Sequence, residues 1–161
     1  MTGGERLLHE LTYSIIAHLK SQVPELRDVV WMYDGISLTG KTKPFATVEQ
    51  MQSNTNVIAK AREYIETYYR FQVGLFANSN SERSRLQEKI RDVLLQPNIT
   101  LYDTTKPSPP PAIGSFYCDI LAVTPMPVEN PADETNKHRV YFDVEVYVQR
   151  KNGGSTLNFE Q

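Results

Sequence analysis

The stretch DGISLTGKTKPFATVEQ, residues 34–50, decides between two folds. Gly35, four intervening residues, then Gly40, Lys41 and Thr42 spell GxxxxGK[ST]. In that pattern backbone N–H groups cradle phosphates, the lysine reaches the outer phosphates and the hydroxyl holds magnesium. The chemistry requires a strand before the loop and a helix after it. VVWMY at 29–33 supplies the strand. A helix beginning at Gly40 places Pro44 in its second turn, where the ring deletes a hydrogen bond and clashes with the preceding turn at a cost of about 3 kcal/mol. Beyond it, Phe45, Thr47 and Glu49 alternate with Ala46, Val48 and Gln50, the period of a strand. The stretch is therefore expected to connect two strands, with Gly35 and Gly40 at turns. A P-loop nucleotide hydrolase acting through Gly35 to Thr42 stands as the competing reading from a different functional class.

Outward from this point the hydrophobic period switches between 3.6 and 2. Leu8, Leu11, Ile15 and Leu19 recur at spacings of three and four, with Leu7 and Ile16 beside them, predicting an amphipathic helix over about 5–22 that Pro24 closes. QSNTN after Met51 reads as a polar connector. From about 64 to 77, Ile65, Thr67, Tyr69, Phe71, Val73 and Leu75 share one face, with Glu66, Arg70 and Gln72 on the other, a long strand with one buried face. Ser79 with Glu82 three residues later forms a capping box, and Leu86, Ile90, Val93 and Leu94 give helical spacing until Pro97. ITLYD at 99–103 predicts a short strand. TTKPSPPPAIG after it is a loop stiffened toward polyproline geometry, and a loop of that length within a domain suits binding or assembly. SFYCDILAVTPMPV predicts one strand through about 124, and ENPADETNK a charged connector. In HRVYFDVEVYVQR, Val140, Phe142, Val144, Val146 and Val148 alternate with polar residues, the pattern of a half-buried antiparallel strand. KNGGSTLNFEQ, from about 151, reads as a flexible tail. Strands that follow one another without intervening helices indicate one α+β domain over 1–161: a mainly antiparallel β-sheet with two α-helices packed on one face.

A chain of 161 residues is long enough to bury a core without cross-links. Seventeen basic and 19 acidic residues leave a net charge of −2, which exerts no global pull toward nucleic acid or an anionic membrane. Cys118 is the sole cysteine; it excludes an intrachain disulfide and a cysteine-based metal cluster, and fits synthesis in a reducing cytoplasm. The amino end, MTGGERLLHELTY, lacks the apolar run of an export signal. No stretch approaches the roughly 20 apolar residues that cross a bilayer, so no membrane partner is expected. His9 and His18 lie nine apart on the first helix, on opposite sides of it, and are expected on solvated faces. His138 and Asp143 differ in parity along one strand and cannot converge with Cys118, which reads as a small core residue. VYFD at 140–143 has the form of an apolar strand ending in a magnesium-binding aspartate, but the alternation continues past Asp143. Tyr64, Tyr68 and Tyr69 with Arg62 and Arg70 suit strand packing or a subunit interface better than stacking on single-stranded nucleic acid. No catalytic, cofactor-binding or metal-binding residue is assigned, no cofactor is expected, and the chain reads as a structural or assembly protein rather than an enzyme.

The succession KPFATVEQ at 43–50, YYRFQVGLFANSNSERSRLQEKIRDVL at 68–94, LYD at 101–103, GSFYCDI at 114–120 and HRVYFDVEVYVQR at 138–150 resembles the tail terminator proteins of long-tailed bacteriophages, also called tail completion or tail-to-head joining proteins. The resemblance runs through about two thirds of the chain, in order. It implies a small α+β subunit that assembles as a hexameric ring, caps the tail tube, ends its polymerisation and joins the tail to the head connector. It further implies the tail tube protein and the head completion or connector protein as partners, with DNA passing through the central channel unread. The place implied is the virion, at the head-proximal end of the tail. A head-closure or other neck protein is the nearest alternative. Under this resemblance the candidate assembly or lumen contacts are Arg139, Asp143 and Glu145 on the polar face of the last strand, and Lys106, Pro109, Pro110 and Pro111 in the stiff loop. A near-neutral chain also suits a channel through which DNA slides, because a strongly basic lumen holds phosphates.

Overall fold

The computed structural model describes residues 3–152 and 157–159, with side chains described for 6–152. Helix α1 (Gly3–Gln22) precedes strands β1 (Val29–Met32), β2 (Phe45–Gln50), β3 (Asn54–Ile58) and β4 (Tyr64–Phe76). Helix α2 (Asn80–Leu94) leads to β5 (Ile99–Tyr102), β6 (Ala112–Phe116), β7 (Asp119–Met126), β8 (Arg139–Lys151) and β9 (Leu157–Phe159). The main sheet runs β1-β2-β4-β8-β7, with β3 added beside β4 and β9 beside β8; β5 and β6 form a separate two-stranded ribbon. Every pairing is antiparallel except β1 with β2. This is the expected α+β architecture.

The spine is the β4–β8 pair, in register from Tyr64↔Lys151 to Phe76↔Arg139. Because side chains alternate across a strand, this register sets Leu75 beside Val140, Val73 beside Phe142 and Phe71 beside Val144 on one face. Ala46 and Val48 of β2 extend those rows. Leu7, Leu11, Ile15 and Leu19 of α1 and Leu86, Ile90, Val93 and Leu94 of α2 close over the same face in a single core cluster. Each such side chain, fully buried, contributes about 1.5–3 kcal/mol. Ser79 caps α2 as its sequence indicates, its Oγ accepting from the Glu82 N–H at 3.1 Å while Glu82 Oε1 accepts from Asn78 N–H at 2.7 Å.

The opposite face has a buried apolar cluster at one end. Phe45 and Phe76 stack there with ring centroids 4.7 Å apart, and Val30 completes a second small cluster covered by Ile36 and Leu38 from the 33–44 connector.

Four expectations are revised. QSNTN is not merely a connector, because Asn54–Ile58 forms β3 along the first half of β4. The run 115–128 is not one strand: it breaks at Tyr117 and Cys118 into β6 and β7, and β7 continues through Pro125, which an edge strand tolerates. Within the expected tail, Leu157–Phe159 pairs with β8, while 153–156 and 160–161 lie outside the described residues. His18 is not on a solvated face; its Nε2 lies 2.9 Å from the carbonyl oxygen of Val93, between the two helices, and burial lowers its pKa against that hydrogen bond.

Candidate assembly surfaces

The 33–44 connector is held by its own chain. Gly35 and Gly40 have φ of +86° and +80° with open space around each absent Cβ, so backbone conformation alone accounts for glycine there. Lys41 Nζ donates to Asp28 Oδ2 at 2.9 Å, a hydrogen bond that draws the Asp28 carboxyl below its usual range. Lys43 Nζ donates to the carbonyl oxygens of Glu134 and Lys137, at 2.5 and 3.0 Å. Burial lowers the Lys43 pKa, opposed by the Glu134 and Asp133 carboxylates. Gly40, Lys41 and Lys43 face Asp133, Glu134 and Lys137 across a cleft of about 640 Å³ between the connector and the 132–138 segment. Lys137 in that cleft is itself paired with Glu134 at 2.8 Å. Its cations are thus already committed and share the space with carboxylates, and β2 begins where a phosphate loop requires a helix.

The polar face of the spine carries the three strand candidates. Glu145 Oε2 accepts from Arg70 Nε at 3.0 Å, with side-chain exposures of 14% and 33%, so its arginine partner comes from the same chain. The Arg139 guanidinium lies over the Tyr141 ring at 5.8 Å. Asp143, half-buried between Gln72 on β4 and Ala122 on β7, makes no ion pair or hydrogen bond among the described residues. Tyr68 and Tyr147 rings sit 5.0 Å apart on this face, whereas Tyr69 packs against the core; the tyrosines do not form one stacking platform.

Two residues that periodicity does not single out stand beside Asp143. Met51, 43% exposed, follows β2 on one flank of the spine, and Leu121, 54% exposed, lies on β7 at the other flank. With Gln52, Arg70 and Asp143 they border a groove of about 310 Å³. Leu121 reaches it because the β7–β8 register shifts between Ile120 and Ala122, a bulge that re-aims a side chain. No alternation pattern encodes that shift.

The proline loop belongs to the other side of the molecule. Asp103 Oδ1 accepts from the Thr105 N–H at 3.0 Å and from its hydroxyl at 2.5 Å, bonds that hold its carboxyl below the usual range. Arg6 Nη1 lies 3.8 Å from Asp103, and His9 Nδ1 2.9 Å from Thr104 Oγ1, both from α1. The Asp103 N–H donates to the Pro111 carbonyl at 2.9 Å and closes the loop's mouth. Lys106, Pro109 and Pro111 are exposed and Pro110 is half-exposed. The seven candidates therefore divide between two surfaces on opposite sides of the sheet.

Among the described residues no group of three or more His, Cys, Asp or Glu is placed to hold a metal ion, and no helix is long and apolar enough to cross a membrane. No protein-family model matches this chain, and no curated protein matches it.

Proposed function

We propose that this chain is a ring-forming tail terminator: a structural subunit that caps a phage tail tube, ends its polymerisation and presents the face that docks on the head connector. One observation carries the reading beyond the sequence resemblance. Two unlike exposed surfaces, the Met51–Asp143–Leu121 groove and the Lys106–Pro111 side of the loop that α1 anchors through Thr104, lie on opposite sides of the sheet. Association through two different patches is heterologous, and heterologous contacts close into rings or run on as filaments. DNA passes through such a ring without being read. The 33–44 connector weighs against the nucleotide-hydrolase reading, because Lys41 is committed to Asp28.

The test adds the protein to purified tails lacking their upper cap and, separately, to DNA-filled heads. A terminator binds the tail ends. Binding to heads alone refutes this reading and favours a head-closure protein.

A further inference from the structure

The groove and the loop have matching chemistry. Asp143 is a half-buried carboxylate without a partner among the described residues, at the floor of a groove whose two flanks are the exposed apolar side chains Met51 and Leu121. Its neighbour Arg70 is neutralised by Glu145, so the floor keeps a net negative charge. The complementary element is a cation carried on a stiff apolar segment. Lys106 is exposed, its ammonium acts on the Asp103 carboxyl only through space, with no ion pair or hydrogen bond among the described residues, and it leads into Pro107, Pro109, Pro110 and Pro111, followed by Ile113 at 45% exposure. Prolines lose little conformational freedom on docking because the ring fixes φ, and their rings offer apolar surface to the Met51 and Leu121 side chains.

The loop cannot reach the groove of its own chain. Thr104 and Asp103 hold it against α1, which covers the core face of the sheet, while Asp143 and Arg70 belong to the opposite face by strand parity. We infer that the groove over Asp143 receives the proline loop of a second copy of this chain, with Lys106 of that copy against the carboxylate and its prolines between Met51 and Leu121. The contact is heterologous, since each copy offers a loop on one side and a groove on the other, and it supplies the repeating interface of a ring. The inference rests on the ring reading above and assigns that ring its interface.

Charge reversal tests it in the full chain. Lys106→Glu and Asp143→Lys, each alone, place like charges at the contact and are expected to weaken self-association about tenfold, read as the mass distribution in solution and on uncapped tail tubes. Lys106 is exposed and Asp143 half-buried, so melting temperature is expected to stay at the wild-type value for Lys106→Glu, and Asp143→Asn, which keeps the shape and removes the charge, is the second variant should Asp143→Lys melt early. The double variant restores the opposite-charge pair and is expected to recover association to within a few-fold of wild type. If wild type forms rings and the single variants do so equally, or the double variant is no better than either single one, the groove assignment is overturned and the ring reading stands. If wild type associates neither in solution nor on tube ends, the ring reading fails and the interface with it.

Discussion

Lys41 Nζ donates to Asp28 Oδ2 across 2.9 Å, joining the lysine of the GxxxxGKT spelling to the residue just before β1. Magnesium-ATP at millimolar concentration is therefore expected not to bind in equilibrium dialysis. Saturable binding that disappears in Lys41→Ala would reinstate the nucleotide-binding reading. The side chains are 32% and 44% exposed, so the pair contributes less than about 1 kcal/mol. Because the Asp28 carboxyl is drawn down, chiefly by its hydrogen bond from Lys41, that contribution is present above the ordinary carboxylate range and fades as pH falls through the depressed value. Asp28→Asn is expected to flatten the acid limb of the stability curve slightly, as measured by urea unfolding.

Glu10 behaves in the opposite sense. It is fully buried on α1, its carboxylate has no well-formed hydrogen bond among the described residues beyond a weak approach of the Thr104 backbone, and Arg6 Nε stands 3.6 Å away. Burial pushes its carboxyl up against the pull of Arg6. Between the ordinary and the raised value the folded state keeps a proton that the unfolded state has lost, so stability falls as pH rises through that window. Glu10→Gln, which removes the charge and keeps the shape, is expected to raise stability at pH 7 by about 1 kcal/mol and to abolish that decline. Loss of stability at pH 7 that shrinks at pH 4 in the variant would show that the carboxylate is favourably placed after all.

Gly74 lies mid-strand in β4, and its φ is not what requires glycine. A Cβ there would stand 2.5 Å from Thr47 Oγ1, 2.9 Å from the Tyr141 ring and 3.2 Å from the Phe76 ring. Gly74→Ala is expected to cost about 1–3 kcal/mol through overpacking, read as a lower urea midpoint. Gly74→Ala combined with Thr47→Ser, which keeps Oγ1, is expected to recover none of it, whereas Thr47→Ala removes that first obstacle and recovers part.

The Cys118 thiol is 3% exposed, and burial pushes its pKa up to about 12. A thiol so far from its thiolate is a poor nucleophile. At pH 8 an aromatic disulfide reagent is expected to label it only in denaturant; prompt labelling of the folded chain would contradict its place in the core.

What the sequence revealed tracks burial. β8 was legible because five valine and phenylalanine positions alternate onto the helices, and α2 because Ser79 and Glu82 perform the cap that their spacing announces. β3 was not legible: Asn54 to Val57 are exposed and are held as a strand by the backbone ladder to β4, which leaves no hydrophobic period. The break at Tyr117 and Cys118 was hidden by an unbroken apolar run, since β6 and β7 bury residues against different neighbours. Of the candidate contacts, parity was enough to put Asp143 and Glu145 on the polar face. Parity does not reveal that Arg70, 75 residues from Glu145 in sequence, neutralises one and leaves the other without a partner among the described residues, nor that a bulge lifts Leu121 beside it.

The central claim is tested most directly by adding the protein to tail tube protein during polymerisation and following tube length by electron microscopy. The expected result is arrest of elongation at about one ring per tube end, with the ring visible on the arrested end. Tubes that lengthen at an unchanged rate in saturating protein, with bare ends, would contradict the account.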